Sequence, residues 1–293
     1  ALTEKVPADK IPLVTTGYGR ADSADGGVFK WNFPLLGTYW AAADTLVQYV
    51  GKKEGGLDKL KGKKIGLSRS QNKVKTDWWG IQEEQGIELM LRMNGMTRAD
   101  VQIVEFPYPD DWYDKPEMLD PMENPSELWL KRDHKHDLAF RPLEVALETG
   151  VVDAIYTQSK PFQHLQEATG NFKAIEDLSR YPDWTLQTAN IPAAITCTDV
   201  MAKEHPELVI AYMKAMIKVG RWANDHKRAA AAILNRQTFY LDVEDTYKGI
   251  KDVDMVPNLS PRNLACIETG KDFMLNKGYI KNDFDVKEWA APE

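Results

Sequence analysis

Gly150-Val-Val-Asp153-Ala-Ile-Tyr156-Thr-Gln158 decides the fold. A glycine placed to stop a helix leads into a short apolar strand pattern, which ends on hydrogen-bonding residues. About ninety residues earlier stands a second such pattern, Leu60-Lys-Gly62-Lys-Lys-Ile65-Gly66-Leu-Ser68-Arg69-Ser70. About forty residues later, Ala189-Asn190-Ile-Pro-Ala-Ala-Ile195-Thr begins polar and turns apolar, ahead of His205-Pro206-Glu207-Leu208. Short strands alternating with helices give an open α/β sheet, whose ligands bind beyond the carboxyl ends of its strands.

Composition sets the bounds. The 293 residues suffice for one large or two medium α/β lobes with a sizeable core. The 43% apolar and 28% charged fractions are those of an ordinary soluble protein. A net charge of -7 gives no electrostatic case for nucleic acid. No apolar run approaches the ~18 residues of a membrane span. No signal peptide is visible, and the first residue is Ala1, as expected of a processed or truncated chain. Two cysteines, Cys197 and Cys266, provide neither a disulfide framework nor a metal-ligand spacing.

Periodicity predicts the elements. Strands are expected at 11–15, 29–33, 65–67, 101–106, 151–156, 172–175 and 191–196. Helices are expected over 38–50, 78–94, 141–149 and 159–169, then a helical region from 199 with a second helix opened by Pro206 and running to about 226, and helices over 227–235, 243–253 and 262–277. The stretch 106–136 reads as a long proline- and aromatic-rich loop, of the kind that is often functional.

Gly62-Lys-Lys-Ile-Gly-Leu-Ser68, Gly150-Val-Val-Asp153-Ala154, Arg221-Trp222-Ala223-Asn-Asp225-His226 and Asp285-Val-Lys-Glu-Trp289-Ala-Ala-Pro292-Glu293 carry a resemblance. From about residue 62 to the end, the chain resembles the type II periplasmic-binding group of sulfonate, nitrate and thiamine-precursor binding proteins. Within that group it is similar to the hydroxybiphenyl sulfinate desulfinases. Residues 1–64 resemble an internal segment of the branched-chain amino-acid type. It is carried by Lys10-Ile-Pro-Leu-Val-Thr-Thr-Gly-Tyr18-Gly-Arg20, Val28-Phe-Lys-Trp31-Asn-Phe33-Pro34 and Glu54 to Lys64.

The second resemblance is to the type I fold; both imply a bilobed ligand trap, and the longer, C-terminal one implies a two-lobed α/β fold of type II-like form, each lobe an open sheet flanked by helices. Lobe one is expected to hold residues 1–60 plus 195–293 and lobe two 61–190. The chain would cross between them near 60–66 and 188–196. The implied protein is a periplasmic or otherwise extracytoplasmic component of an ATP-binding-cassette importer, closing on a small organic anion such as an aromatic sulfonate or carboxylate. Its expected partners are that ligand and a permease, with no nucleic acid. It is expected to be a monomer, with no cofactor and no metal.

Candidate ligand residues follow from the strand ends. Ser68, Arg69, Ser70 and Gln71 combine hydroxyls, N–H groups and a guanidinium ahead of a helix start, which suits an anion; an exposed capping turn is the alternative. Tyr156 and Gln158 end the 151–156 strand, and Asn190 marks the return crossing, where it could instead satisfy the hinge backbone. Trp78, Trp79, Trp112 and Trp184 are candidate walls, though aromatics are more often core. His134 and His136 lack an evident third ligand and read as a solvated charge run. The alternative function is a desulfinase-like or hydrolytic enzyme on the same fold. The resemblance implies a cysteine nucleophile with a histidine and an arginine from the N-terminal region. The first 133 residues here contain neither Cys nor His.

Overall fold

Strands and helices alternate along much of the computed structural model, which describes residues 14–16, 35–39, 48–52, 56–70, 77–108, 142–157, 169–178, 193–197, 199–235 and 242–290, with single positions between. The larger sheet has five strands. They are β3 (Gln48–Lys52), β4 (Lys64–Ser70), β5 (Gln102–Tyr108), β6 (Ala154–Thr157) and β7 (Phe172–Asp177), in the order β5-β4-β6-β3-β7. β4 runs parallel to β5 and to β6, whereas β3 is antiparallel to β6 and β7. A smaller three-stranded sheet sets β8 (Ala193–Thr196) between β1 (Val14–Thr16) and β2 (Leu35–Tyr39), both antiparallel to it.

Helices cover both faces of the larger sheet. Helix α1 (Trp78–Met93) joins β4 to β5 and packs Ile87, Met90 and Leu91 on Ile65, Leu67 and Tyr156. Helix α2 (Pro142–Glu148) lays Leu143, Ala146 and Leu147 on Ile155 and Phe172. Alternate residues of β4 and β6 thus serve opposite faces, as the pleat requires. Ile65 and Leu67 are fully buried, each stabilising the fold by roughly 1.5–3 kcal/mol. Gly66 admits α2 closely, since a Cβ there would lie 2.9 Å from Leu143. Gly150, at φ 74°, ends the turn after α2 in the left-handed conformation that glycine tolerates best.

The C-terminal third is helical: α3 (Asp199–Glu204), α4 (Pro206–Asp225), α5 (Lys227–Asn235), α6 (Val243–Ile250), α7 (Pro261–Lys277) and α8 (Val286–Trp289). Ile267, Val286 and Trp289 close over Ala194, so α7 and α8 belong with the smaller sheet. Met274 and Ile280 pack on Ile81 at the start of α1, joining the two sheets through side chains. No helix among the described residues is long and apolar enough to cross a membrane.

One expected helix is strand at both of its ends, with residues 40–47 between them outside the described residues. The helical stripe read over 38–50 gives way to β2, which ends at Tyr39, and to β3, which begins at Gln48. Tyr49 and Val50 favour a pleated surface, and β3 takes ladder partners on both sides from β6 and β7. Paired on both edges, the segment follows its tertiary neighbours rather than its helical period. β3 therefore sits in the larger sheet, with residues expected in lobe two. The expected strand over 29–33 and the loop over 109–136 lie outside the described residues.

Candidate functional site

The strand order places a crevice between β4 and β6. From β4 the chain passes through α1 to β5 on one side; it then returns through α2 to β6 on the other. Such a reversal is a topological switch point, and the crevice at the carboxyl ends of its two strands is where an open α/β sheet binds ligands. The crevice opens early. β4 pairs with β5 from Lys64 to Ser70, but with β6 only at Ile65 and Gly66.

Beyond Gly66 the N–H groups on the β6 side of β4 end on carboxylates. Lys64 shows which edge this is, because its carbonyl accepts from the Asp153 N–H at 2.8 Å, just ahead of β6. Ser68 and Ser70 share that direction by the period of two. The Ser68 N–H donates to Glu83 Oε2 at 2.6 Å, and the Ser68 hydroxyl donates to Glu83 Oε1 at 3.0 Å. The Ser70 N–H donates to Asp77 Oδ2 at 3.1 Å, while Asp77 Oδ1 accepts from the Gly80 N–H at 3.0 Å and caps α1. Ser68 and Glu83 are both 3% exposed.

Arg69 faces the other way. Its Nε donates to Glu105 at 2.9 Å, its Nη2 lies 3.3 Å from Glu84, and its Nη1 donates to the Tyr279 hydroxyl. Tyr279 in turn donates to Glu84, which also receives Arg98 and stands 3.8 Å from Lys277. Lys277 pairs with Glu88 as well. Burial alone would raise the Glu84 carboxyl, but the Tyr279 hydroxyl and the charges of Arg69, Arg98 and Lys277 outweigh it and hold the group below its ordinary range. Burial and the neighbouring Glu84 push the Tyr279 phenol up, so it stays a neutral donor. This network ties α1 to the end of α7 beside the crevice.

Of the residues expected to bind ligand, Ser68 and Ser70 lie on the crevice side of β4 and Arg69 faces away from it, each engaged by the protein's own carboxylates. Tyr156 is 2% exposed and its ring lies against Gly86 of α1, within the core. Gln71, Gln158 and Asn190 lie outside the described residues, as do Trp112, Trp184, His134, His136 and the side chains of Trp78 and Trp79. Trp222 and His226, on α4 and just past its end, stack on each other at 5.3 Å. The reading of the strand ends missed Glu83 and Asp77. Asp77, directly before the helical run, carries the ordinary cap signature. Glu83 is one of four consecutive polar residues, Gln82 to Gln85, and sequence alone does not single it out.

Both cysteines are buried, Cys197 just past β8 and Cys266 within α7. Burial pushes the Cys266 thiol up to about 11, against a small opposing pull from Arg262. Both thiols should therefore resist 5,5′-dithiobis(2-nitrobenzoate) in the native protein and react only on denaturation; fast reaction of either before unfolding would contradict this burial.

Solved structures share this architecture. A cysteine-to-serine variant of the desulfurization enzyme DszB, in complex with biphenyl-2-sulfinic acid, superposes with a TM-score of 0.72 at 18% identity, over 98% of this chain and 85% of that one. The periplasmic aliphatic sulphonate-binding protein SsuA of Escherichia coli superposes with a TM-score of 0.60 at 12% identity, over 100% and 80%. The alkanesulfonate-binding SsuA of Xanthomonas axonopodis pv. citri gives 0.58 at 13%, over 99% and 83%. The chain has the periplasmic-binding-protein fold. By sequence, the 2'-hydroxybiphenyl-2-sulfinate desulfinase of Rhodococcus erythropolis is 27% identical over 150 residues. That match covers 50% of this chain but only 39% of the relative's length. No family model matches the chain.

Proposed function

We propose that this protein is an extracytoplasmic solute-binding protein of an ATP-binding-cassette importer, closing on a small organic anion of the sulfonate, sulfinate or carboxylate class. The fold supports the class, since similar structures are sulfonate-binding proteins by name. The observation that carries binding over cysteine catalysis is the state of the thiols. The sequence has two cysteines, and both are buried, Cys197 just past β8 and Cys266 within α7, neither on the crevice strands β4 and β6. The Cys266 thiol, raised by burial, is a poor nucleophile at neutral pH.

In this reading the two sheets mark two lobes, with the crossing that was expected near 60–66 moved ahead of β3. Hinge closure brings the lobes together over the β4–β6 crevice. Ser70 provides a neutral contact at its rim, and Gln71, Gln158 and Asn190 are the further ligand contacts this reading expects from the sequence. A permease is the implied partner.

The second reading is a sulfinate desulfinase, favoured by the 27% identity over half the chain and by the TM-score of 0.72. Thermal denaturation with alkyl and aryl sulfonates, sulfinates and carboxylates, and with branched-chain amino acids, separates the readings. At a hundred times its dissociation constant a true ligand stabilises by about 2.7 kcal/mol, and it is recovered intact. A panel without any stabilising compound, or a ligand recovered as product, would overturn the binding reading.

A further inference from the structure

The β4–β6 crevice carries a second message, concerning what it refuses. Strand ends at a switch point normally leave N–H groups free for a ligand's oxygens. Here the Ser68 N–H and hydroxyl form a two-point donor pair, and both bonds end on one carboxylate, at 2.6 and 3.0 Å. The carboxylate comes from the middle of α1, 15 residues on, and is 3% exposed. Asp77, the cap of α1 six residues earlier, accepts from the Ser70 N–H with one oxygen. Burying a carboxylate is costly unless its oxygens are well bonded, and these are. With both bonds made to Glu83, a second oxyanion finds no donor left at Ser68.

We propose that Glu83 fills the oxyanion position of this crevice, and so is the residue that sets which ligands the crevice accepts. This rests on the binding reading above. Compact oxyanions that would sit on Ser68 are excluded. A larger ligand keeps its acid group outward, toward the rim, and presents its apolar body to the strand ends.

The test needs no knowledge of the natural ligand. Thermal melts of wild type, Glu83→Ala and Glu83→Ala/Ser68→Ala are compared in sodium acetate and in sodium chloride at equal ionic strength. Glu83→Ala is expected to melt lower than wild type in chloride. It should recover by about 3–6 °C in acetate at ten times the dissociation constant, with saturation. Wild type should not respond. The double variant should need at least severalfold more acetate, having lost one donor. Equal responses in wild type and Glu83→Ala, or an unchanged response in the double variant, would overturn the proposal. If Glu83→Ala does not fold in chloride, its refolding yield in acetate against chloride reads the same occupancy, and equal yields would overturn it. A failed solute screen leaves the acetate result standing, so the two readings fail separately.

Discussion

Gly86→Ala is expected to destabilise the protein by ~3 kcal/mol or more, against the usual sign for such a change. Within a helix, alanine normally stabilises over glycine by about 1 kcal/mol. Here a Cβ on residue 86 would stand 2.0 Å from the ring of Tyr156. That ring is 2% exposed and held between α1 and the sheet, so it has no solvent to move into. The melting temperature should fall by roughly 6–12 °C. Tyr156→Leu should itself destabilise, yet the double variant should lose less than the sum of the two singles, because the clash partner is gone. Additive effects, or a stabilised Gly86→Ala, would show that α1 does not seat on β6 as described.

Glu84→Gln comes second in size, at about 2–3 kcal/mol at neutral pH. Removing one partner of a buried pair costs about 3–5 kcal/mol, while exposed pairs contribute ~1 kcal/mol or less. Glu84 is 6% exposed, but Arg69, Arg98 and Lys277 remain 26%, 40% and 31% exposed, so the loss falls between the limits. The pH dependence has a definite sign. Glu84 is held below its ordinary value of 4.5 in the folded protein. Its contribution is therefore present above that value and lost as pH falls through the lower, folded one. Denaturant titrations from pH 7 downward should show wild type losing stability below about pH 4.5, with Glu84→Gln less stable at pH 7 and flatter in that window. Parallel curves for the two proteins would contradict the network.

Much of the larger sheet was legible because its signals are local. Gly150 and Gly95 stop helices, the apolar runs at 65–67 and 151–156 read as strands, and Lys227–Asn235 reads as a helix with the bounds it has. The segment 38–50 misled because its apolar residues fit a 3.6 period, while its last residues, 48–50, are held by strands more than a hundred residues later. Strand-end logic named Ser68, Arg69 and Ser70, which do end β4. The electrostatics of the crevice were not legible, because they depend on which way those groups face. Nothing local tells that Ser68 meets Glu83 rather than solvent. Nor does it tell that Arg69 reaches Tyr279, which stands 210 residues away in sequence.

Binding without turnover is most directly tested by incubating the protein with biphenyl-2-sulfinic acid, the compound held by the desulfurization enzyme of similar fold. Bound and free fractions are then analysed for intact compound and for released sulfite. The expected result is full recovery of unaltered compound, with no sulfite above the protein-free control at any time. Sulfite that accumulates with time and in proportion to protein would contradict binding without turnover and establish a desulfinase.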